Sequence, residues 1–455
     1  MQKEKKGKWR SCKKLFYTSV IVLNILWILL LLGYYTFRLV HYYQLEHQTE
    51  AKDHLLVNQL LLDKNIKVQG DGLYESNDGY VFKGKDVNNY VSYSGFLFRI
   101  VGVTADKKIK LITDDTITNL AYGLATYEKS HLRTWLNPIE GQAHSGIFYQ
   151  QLNAPANYLV KNKFCYSKVD DIKNENCNDY VTDQIGLLTF QDFKNARGKN
   201  SYLNNHTNYF ITAVDHQNQA WYITSKGELS NQSATGDVLY SYGVRPVLYF
   251  NSQVKLVSGD GSKQKPYQIE QSQPTKLKDV AVGSYLHFCD YNWRVISKET
   301  GKIKVAMDGT LNGVRTFDSM NILYDPNSRT NIGYYLNHEF YQSLKDQTSM
   351  VTGSFYTGEY NHTNNYNYLR TFDRSVTAYV GLPQVGELFF HEYDNTFTLT
   401  PASSEAETIF TITNQNLFAD LLSSKKQVRP VIYLKDQLTI TGTGGKDDPY
   451  KVGEV

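Results

Sequence analysis

The stretch "GVRPVLYF" at residues 243–250 is repeated almost unchanged as "QVRPVIYL" at residues 427–434. Proline cannot donate to a β ladder, so it belongs at the start or on the edge of a strand. Each stretch therefore predicts a strand that begins at its proline, with Val247 and Tyr249 on one face and the alternate residues on the other. Two such strands in one chain predict two structurally equivalent units.

Further pairs of similar segments occur in the same order in both halves of the chain. The longest pair, residues 96–115 and 291–310, shows in each case two apolar runs separated by a short polar turn. The other pairs are LRTWLN at 132–137 with GYYLN at 333–337, IGLLTFQDF at 185–193 with VGLPQVGELF at 380–389, AWYITSKGEL at 220–229 with TFTLTPASSE at 396–405, and GDGSKQKPYQI at 259–269 with GTGGKDDPYKV at 442–452. We therefore predict two copies of one domain, repeat domain 1 at 67–270 and repeat domain 2 at 279–455, joined by a linker at 271–278.

Overall composition favours a β-rich α+β protein. The 455 residues include 36 Tyr but only 10 Pro, and many of the apolar runs are short and alternating, which suits half-buried strands. The formal net charge of +3 provides no basic excess for nucleic acid, so we predict no nucleic-acid partner.

The N-terminal segment differs from the rest of the chain and predicts a single-pass membrane anchor. A basic segment at 1–14 precedes an uncharged apolar run at 15–37, which spans roughly 34 Å as a helix and exceeds the ~30 Å core of a bilayer. The run is too long for a secretory signal peptide, and an uncleaved signal segment would leave the protein in the same compartment. Because the positive charges precede the run, we expect residues 1–14 in the cytoplasm and the bulk of the chain outside the cell membrane.

Residues 38–66 are interpreted as a stalk helix that continues out of the membrane. Residues 41–66 lack Gly and Pro and carry leucines at loosely helical spacing. The heptads are too few to predict a coiled coil, so a homodimer that forms through the stalk stays an open alternative.

The motifs in this order resemble DUF6273, a family of bacterial extracytoplasmic domains of unknown function in Gram-positive surface proteins. The resemblance rests on the Trp/Phe-Arg element, Leu-Arg-x-Trp-Leu-Asn, Gly-Val-Arg-Pro-Val and the Gly-x-Gly-x-Lys-x-x-Pro-Tyr tail, and it covers nearly all of 67–455. It implies two tandem domains similar to formylglycine-generating enzymes and C-type lectins, in which a twisted sheet carries long loops. The second copy lacks counterparts of Arg133, Trp135 and the cysteines.

Sequence motifs for catalysis and metal binding are missing from the chain. No Cys follows Cys289, so the late cysteine pair of formylglycine-generating enzymes is lacking, and the calcium-binding triplets of lectins do not occur. The sequence also contains no Cys-x-x-Cys, His-Glu-x-x-His, Gly-x-Ser-x-Gly or Walker motif. We therefore predict no catalytic residues, no metal and no cofactor. Cys165 and Cys177 are predicted to form a disulfide, since both lie on the extracytoplasmic side.

Candidate ligand-binding residues are the aromatic residues that lie among Asn, Ser and Gly, a composition typical of recognition loops. The predicted set comprises Trp221, Tyr222, Tyr242, Tyr356, Tyr360, Tyr366 and Tyr368, together with Arg245. For Arg245 the sequence leaves two interpretations open, a ligand contact or a structural partner of buried acceptors.

These observations favour a non-catalytic cell-surface protein whose tandem lectin-like domains bind an envelope glycan or a surface protein. Two alternatives stay open. One is a scaffold subunit of a cell-envelope or secretion complex, and the other is an enzyme on a degenerate formylglycine-type fold.

Overall fold

The computed structural model describes residues 20, 22–40, 55–123, 126–142, 145–174, 177–233, 242–271, 274–358, 374–403 and 407–453. Within these ranges the chain is β-rich, and apart from one long apolar helix near the N-terminus its helices are short. The helices are α1 Val22–Val40, α2 Leu56–Leu60, α3 His131–Leu136, α4 Ile147–Gln151, α5 Pro155–Tyr158, α6 Phe190–Asn195, α7 Ile332–Tyr334 and α8 Tyr341–Ser343, with a π-helical turn at Tyr335–Phe340 between the last two. Short 3₁₀ turns cover Asp63–Asn65, Tyr127–Lys129, Ile172–Asn174, Gly198–Asn200 and Leu277–Asp279. The expectation of a β-rich α+β protein is confirmed.

The first half of the chain contains sixteen strands in the described ranges. They are β1 Gly72–Ser76, β2 Gly79–Lys83, β3 Tyr90–Tyr93, β4 Phe96–Thr104, β5 Ile109–Thr113, β6 Thr118–Leu120, β7 Asn162–Tyr166, β8 Asp179–Asp183, β9 Ile185–Gly186, β10 Tyr209–Val214, β11 Gln219–Ile223, β12 Leu229–Ser233, β13 Tyr242–Val244, β14 Val247–Phe250, β15 Leu256–Ser258 and β16 Tyr267–Ile269.

The second half adds thirteen strands in the described ranges. They are β17 Tyr285–Phe288, β18 Tyr291–Glu299, β19 Lys302–Met307, β20 Met350–Val351, β21 Gly353–Tyr356, β22 Ser375–Ala378, β23 Val380–Gly381, β24 Thr396–Ser403, β25 Thr408–Thr413, β26 Asn416–Leu421, β27 Val431–Lys435, β28 Ile440–Thr441 and β29 Tyr450–Val452.

The main sheets of the two halves have the same strand order. In the first half the order is β15-β16-β3-β4-β5-β14-β9, and in the second it is β28-β29-β17-β18-β19-β27, with both β20 and β23 paired to β27. In both sheets the last strand of the half runs parallel to the short strand that precedes the nine-residue strand, β16 to β3 and β29 to β17. The hairpin β1–β2, which pairs with β4, has no counterpart among the described strands of the second half.

Both Val-Arg-Pro-Val stretches form the predicted strand. β14 begins at Val247 and β27 at Val431, each immediately after its proline, so the strand predictions for these stretches are confirmed. Register is also repeated, because Lys110 faces Tyr249 across β5 and β14 while Lys304 faces Tyr433 across β19 and β27. The repeated segments therefore pair with equivalent residues of the neighbouring strand in both halves.

One of the proposed repeat pairs is wrong by one strand. Residues 220–223 belong to β11, the middle strand of β10-β11-β12, whereas residues 396–403 form β24, the first strand of β24-β25-β26. A parallel bridge joins Thr396 to Gln427, as one joins Tyr209 to Gly243, which makes β24 the counterpart of β10. The alternating Thr and apolar residues of these strands are too similar for sequence spacing to separate them.

Equivalent asparagines hold the short strands β9 and β23 in place. The side chain of Asn137 donates to the carbonyl of Ile185 and accepts from its N–H, at 2.7 and 3.1 Å. Asn337 makes the same two bonds to Val380, at 3.0 and 3.1 Å. These asparagines end the LRTWLN and GYYLN segments, so the pairing of those segments reflects a shared structural role.

The N-terminal helix α1 has exposed apolar side chains along its length. It is long and apolar enough to cross a bilayer, as an anchor or as a signal sequence would be. Residues 1–19 and residues 41–54 of the predicted stalk lie outside the described residues. Residues 55–66 differ from the expected stalk: helix α2 ends at Leu60, and Leu56 is buried against the first sheet, where its N–H donates to the carbonyl of Val254 at 2.9 Å.

The two halves share one continuous core. The rings of Phe96 and Phe389 pack 5.6 Å apart across the junction, and the N–H of Phe389 donates to the carbonyl of Ile117 at 2.8 Å. The indole of Trp135 donates to the carbonyl of Gly386 at 3.3 Å. Such contacts bring the strand ends of one half against the loops of the other, and they position the cavities described below.

Candidate functional site

The arginine of the first Val-Arg-Pro-Val stretch is a structural side chain. Arg245 is 0% exposed, and its guanidinium donates four hydrogen bonds of 2.7–3.1 Å to the carbonyls of Thr113, Leu203 and Asp114. It also stacks over the ring of Tyr209 at 4.7 Å. Arg245 belonged to the predicted ligand-binding set. In the structure its guanidinium donates to backbone carbonyls inside the fold and does not reach the surface.

Arg429 occupies the equivalent position in the second half, with one change. It is 0% exposed and donates to the carbonyls of Met307, at 2.8 Å, and Phe389. Its remaining nitrogen meets the carboxylate of Glu392 at 3.1 Å, and Glu392 also pairs with Arg294. Glu392 therefore faces both the buried arginine and the open space beside it.

That open space is a cavity of about 460 Å³ at the junction of the two halves, which we call the junction cavity. Its walls combine acidic, basic and aromatic side chains from both halves. They include the acids Asp114, Asp115, Asp308 and Glu392, the cations Lys263, Arg294 and Lys446, the aromatic residues Phe96, Tyr285, Phe389 and Tyr393, and His391.

Two pairs of repeat-equivalent residues meet in the junction cavity. Asp114 and Asp308 each follow the end of the corresponding strand, β5 or β19. Lys263 and Lys446 are the lysines of the two Gly-x-Gly-x-Lys segments. Lys263 lies 3.5 Å from Asp114, whereas Lys446 has no ion-pair partner among the described residues. The same strand ends and turns, used twice, thus supply both sides of one cavity.

Glycine is required where these turns approach the sheet. Gly261 and Gly444 have φ values of +78° and +76°, and a Cβ on either would strike the ring of the following Tyr267 or Tyr450. Only glycine accepts both the left-handed backbone and this close ring contact. The tight turn then carries each lysine, two residues later, to the mouth of the cavity.

Acidic residues on the wall are held in place by neighbouring donors. Arg99 donates to Asp114 at 3.3 Å, and the hydroxyl of Tyr393 donates to Asp308. Burial raises the pKa of Tyr393 well above its ordinary value, and the hydrogen bond to Asp308 raises it further. Tyr393 is consequently a neutral donor at physiological pH, and the carboxylates face the cavity with fixed orientations.

His391 lies in the wall of the cavity and links the two halves. It is 4% exposed, and its Nε2 lies 3.3 Å from the hydroxyl of Thr116 in the first half. Its Nδ1 has no hydrogen-bond partner among the described residues. Burial lowers the pKa of His391, so its imidazole is neutral at pH 7.

The walls of the junction cavity carry hydrogen-bonding groups and aromatic faces together. Carboxylates accept hydrogen bonds from hydroxyl groups, lysines donate them, and aromatic faces cover apolar C–H surfaces. Four carboxylates against three cations leave the wall nearly balanced in charge, which favours a hydroxyl-rich ligand over a strongly charged one. The described residues contain no group of three or more His, Cys, Asp or Glu that could hold a metal ion.

Part of the predicted aromatic set forms a cluster away from this cavity. Tyr222 and Tyr242 pack 4.2 Å apart with their hydroxyls 3.3 Å from each other, and burial raises the pKa of Tyr242. Trp221, the neighbour of Tyr222 on β11, instead donates its indole N–H to the carbonyl of Val169 at 3.0 Å. Tyr222 and Tyr242 come together on the second sheet of the first half.

The remaining predicted aromatic residues belong to the second half. Tyr356 ends strand β21 and lines a separate cavity between the halves. Tyr360, Tyr366 and Tyr368 lie outside the described residues. None of the predicted aromatic residues that the structure describes lines the junction cavity.

The structure joins Cys165 and Cys177 in a disulfide. Their Cα atoms are 5.6 Å apart, and the bond ties strand β7 to the segment that leads into β8. Cys289 is the remaining described cysteine and is a free thiol whose pKa is raised by burial. The disulfide closes a loop at the edge of the first half, distant in sequence from the cavity residues.

Sequence reasoning missed the charged residues of the junction cavity. Their signal was present in the sequence, because Asp114 and Asp308, and Lys263 and Lys446, are identical residues at matching repeat positions, and Arg294 matches Arg99. A residue that is identical in both repeats can be either a buried structural residue or a residue exposed to a cavity, and the sequence does not distinguish the two. That distinction required the packing of one half against the other.

Comparison with known proteins identifies no relative of this chain. No family model matches it, and neither a curated protein nor a solved structure shows significant similarity to it. The resemblance to DUF6273 and to lectin-like folds therefore stays a prediction.

Proposed function

We propose that this protein is a membrane-anchored, extracytoplasmic binding protein whose two lectin-like halves hold an envelope glycan in the junction cavity. Helix α1 serves as the anchor, with the N-terminus in the cytoplasm. The halves follow the fold of the DUF6273, formylglycine-generating-enzyme and C-type-lectin group, used for binding and not for turnover.

The observation that carries this proposal is the meeting of repeat-equivalent Asp and Lys residues around aromatic rings. Asp308 and Lys446 project from the second half, and Asp114 and Lys263 from the first. Planar carboxylates, ammonium groups and ring faces are the groups that recognise neighbouring hydroxyls on a sugar ring. A volume of about 460 Å³ lies within the usual range for a small-ligand site.

The test is co-sedimentation of the full chain, in detergent micelles, with insoluble envelope polymers of the source organism. We expect saturable pelleting that the Asp308→Asn variant weakens about tenfold, since a hydrogen bond to a charged group contributes ~1.5–3 kcal/mol. Asparagine keeps the side-chain volume and can still accept from Tyr393, so the fold should be retained.

The matched control is Asp78→Asn, which makes the same change at an exposed turn between β1 and β2. It should pellet like the unchanged chain. Pelleting that is absent from all three proteins would reject the glycan proposal and favour the scaffold interpretation, in which a protein partner binds elsewhere on the surface.

A further inference from the structure

A second cavity, of about 370 Å³, lies between the halves on the other side of β18, and we call it the lysine cavity. Helix α4 of the first half forms one wall, and β18, β19 and β27 of the second half form another. Its polar groups include Gln150, Lys298, Lys304, Glu387 and Tyr433. The glycan proposal does not use this cavity, and the candidate residues of the junction cavity do not line it.

Most of the charges around the lysine cavity are already paired. Lys304 is 3% exposed and forms an ion pair with Glu387, as Lys110 does with Asp192 in the first half. Glu299 accepts from the hydroxyl of Tyr433 at 3.0 Å and lies 3.3 Å from Lys302, so its charge is also matched.

Lys298 is the exception. Its ammonium group donates to the amide oxygen of Asn153 at 3.0 Å, and no carboxylate of the described residues lies within ion-pair distance of it. Its backbone N–H is held by the side chain of Gln151, also at 3.0 Å. Burial lowers the pKa of Lys298, while Asp279 opposes this weakly from a longer distance. A partly buried ammonium with only a neutral partner carries an uncompensated charge.

The first half shows that this lysine is not required by the fold. β4 and β18 each contain a bulge, between Ile100 and Gly102 and between Val295 and Ser297. The register after the bulge aligns Lys298 with Val103, which is buried and pairs with Tyr80 of β2 in the first half. Among the described strands of the second half none takes the place of β2, and the equivalent position there holds a partly buried ammonium. β-bulges often serve to re-aim a side chain in this way next to functional sites.

We infer that the lysine cavity binds the carboxylate of a small acidic ligand, with Lys298 as the partner of that carboxylate and the neighbouring glutamines as hydrogen-bond donors to the rest of it. The other charges of the wall are paired, so the one ammonium without an ion-pair partner among the described residues matches the single charge of a carboxylate. The volume of about 370 Å³ accommodates a molecule of monosaccharide size. Acidic sugars and simple monocarboxylates share this chemistry.

The experiment measures protection of individual lysines in the full chain in detergent micelles. Reductive dimethylation by formaldehyde and cyanoborohydride is followed residue by residue by mass spectrometry, with D-glucuronate or acetate as the probe. D-glucose and acetamide serve as the neutral partners of these probes. We expect the carboxylates to slow modification of Lys298 about fivefold or more, because the bound anion holds the amine protonated. The exposed Lys278 should react at the same rate throughout.

The variants supply a second readout. Calorimetry should show that Lys298→Gln weakens carboxylate binding about tenfold, equivalent to 1.4 kcal/mol, while Lys298→Arg and the control Lys278→Gln retain it. Protection by glucuronate alone identifies an acidic sugar, and protection by acetate as well identifies carboxylates in general. Equal protection by the neutral partners, or no protection of Lys298 by either carboxylate in the unchanged chain, would overturn the inference. Asp308→Asn alters the junction cavity only, so it should leave the protection of Lys298 unchanged. A failure of the glycan proposal can therefore be distinguished from a failure of this inference.

Discussion

Replacing Arg245 by Met should unfold the protein at a markedly lower temperature. Methionine fills the volume of the arginine stem but leaves the carbonyls of Thr113 and Asp114 without these buried donors, while the carbonyl of Leu203 keeps only the hydroxyl of Tyr209. An unsatisfied buried acceptor costs ~1–3 kcal/mol, and removing one desolvated charge offsets part of the total. We therefore expect a net loss of about 3–5 kcal/mol, a large fraction of the stability of a typical domain.

The assay is thermal unfolding of the full chain in detergent micelles, followed by intrinsic fluorescence. A loss of this size lowers the Tm by on the order of 10 °C. Arg245→Lys should fall in between, because one ammonium cannot reach all three carbonyls. The control Arg197→Met removes a half-exposed arginine paired with Asp71 at 2.9 Å and should shift the Tm little. A normal Tm for Arg245→Met together with a loss of glycan pelleting would show that Arg245 contacts ligand and would refute the structural interpretation.

Other perturbations test the remaining features of the fold. Reduction, or the Cys165→Ser and Cys177→Ser double variant, should lower stability by roughly 3 kcal/mol in a denaturant titration, because it releases a short loop in the unfolded state. Burial lowers the pKa of His391 in the folded protein. As the pH falls, this histidine is therefore protonated more readily in the unfolded chain, and the free energy of unfolding should decrease below about pH 6.5. His391→Leu should flatten this part of a Tm-against-pH profile, and an unchanged slope would contradict the assignment. Lys110→Met leaves the partly buried Asp192 without its ion-pair partner and should cost about 3 kcal/mol in urea unfolding, whereas adding Asp192→Asn, which removes the charge but can still accept from Thr189, should recover part of the loss.

Much of the architecture could be predicted from sequence because it depends on local patterns. Proline at a strand start, glycine at a left-handed turn and alternation along β4 and β18 act within a few residues, and they occur twice. The pairing of β24 was missed because several strands with similar alternation compete for the same match. Only the parallel bridge between Thr396 and Gln427 decides which strand is equivalent to β10.

The candidate sites could not be predicted in the same way. Of the aromatic residues chosen from loop composition, Tyr222 and Tyr242 pack together on the second sheet of the first half, Tyr356 lines the lysine cavity, and three others lie outside the described residues. The sequence does not show whether the acidic residues and lysines of the junction cavity face solvent, a binding partner or each other. Asp114 and Asp308 lie far apart along the chain and meet at one cavity through the packing of the halves.

By itself, the sequence determined an apolar N-terminal helix, a β-rich chain, and the strand and turn positions of two repeated units, because proline, glycine and alternating apolar residues constrain the backbone locally. Only the tertiary structure shows that the two arginines of the repeated stretches are buried structural residues. It also shows that the nearby acids Asp308 and Glu392 face a shared cavity. It also decided that Lys298, aligned with a buried valine, faces open space. The reason is that burial and charge compensation depend on which surface covers a residue, and in this protein that surface comes from the other half.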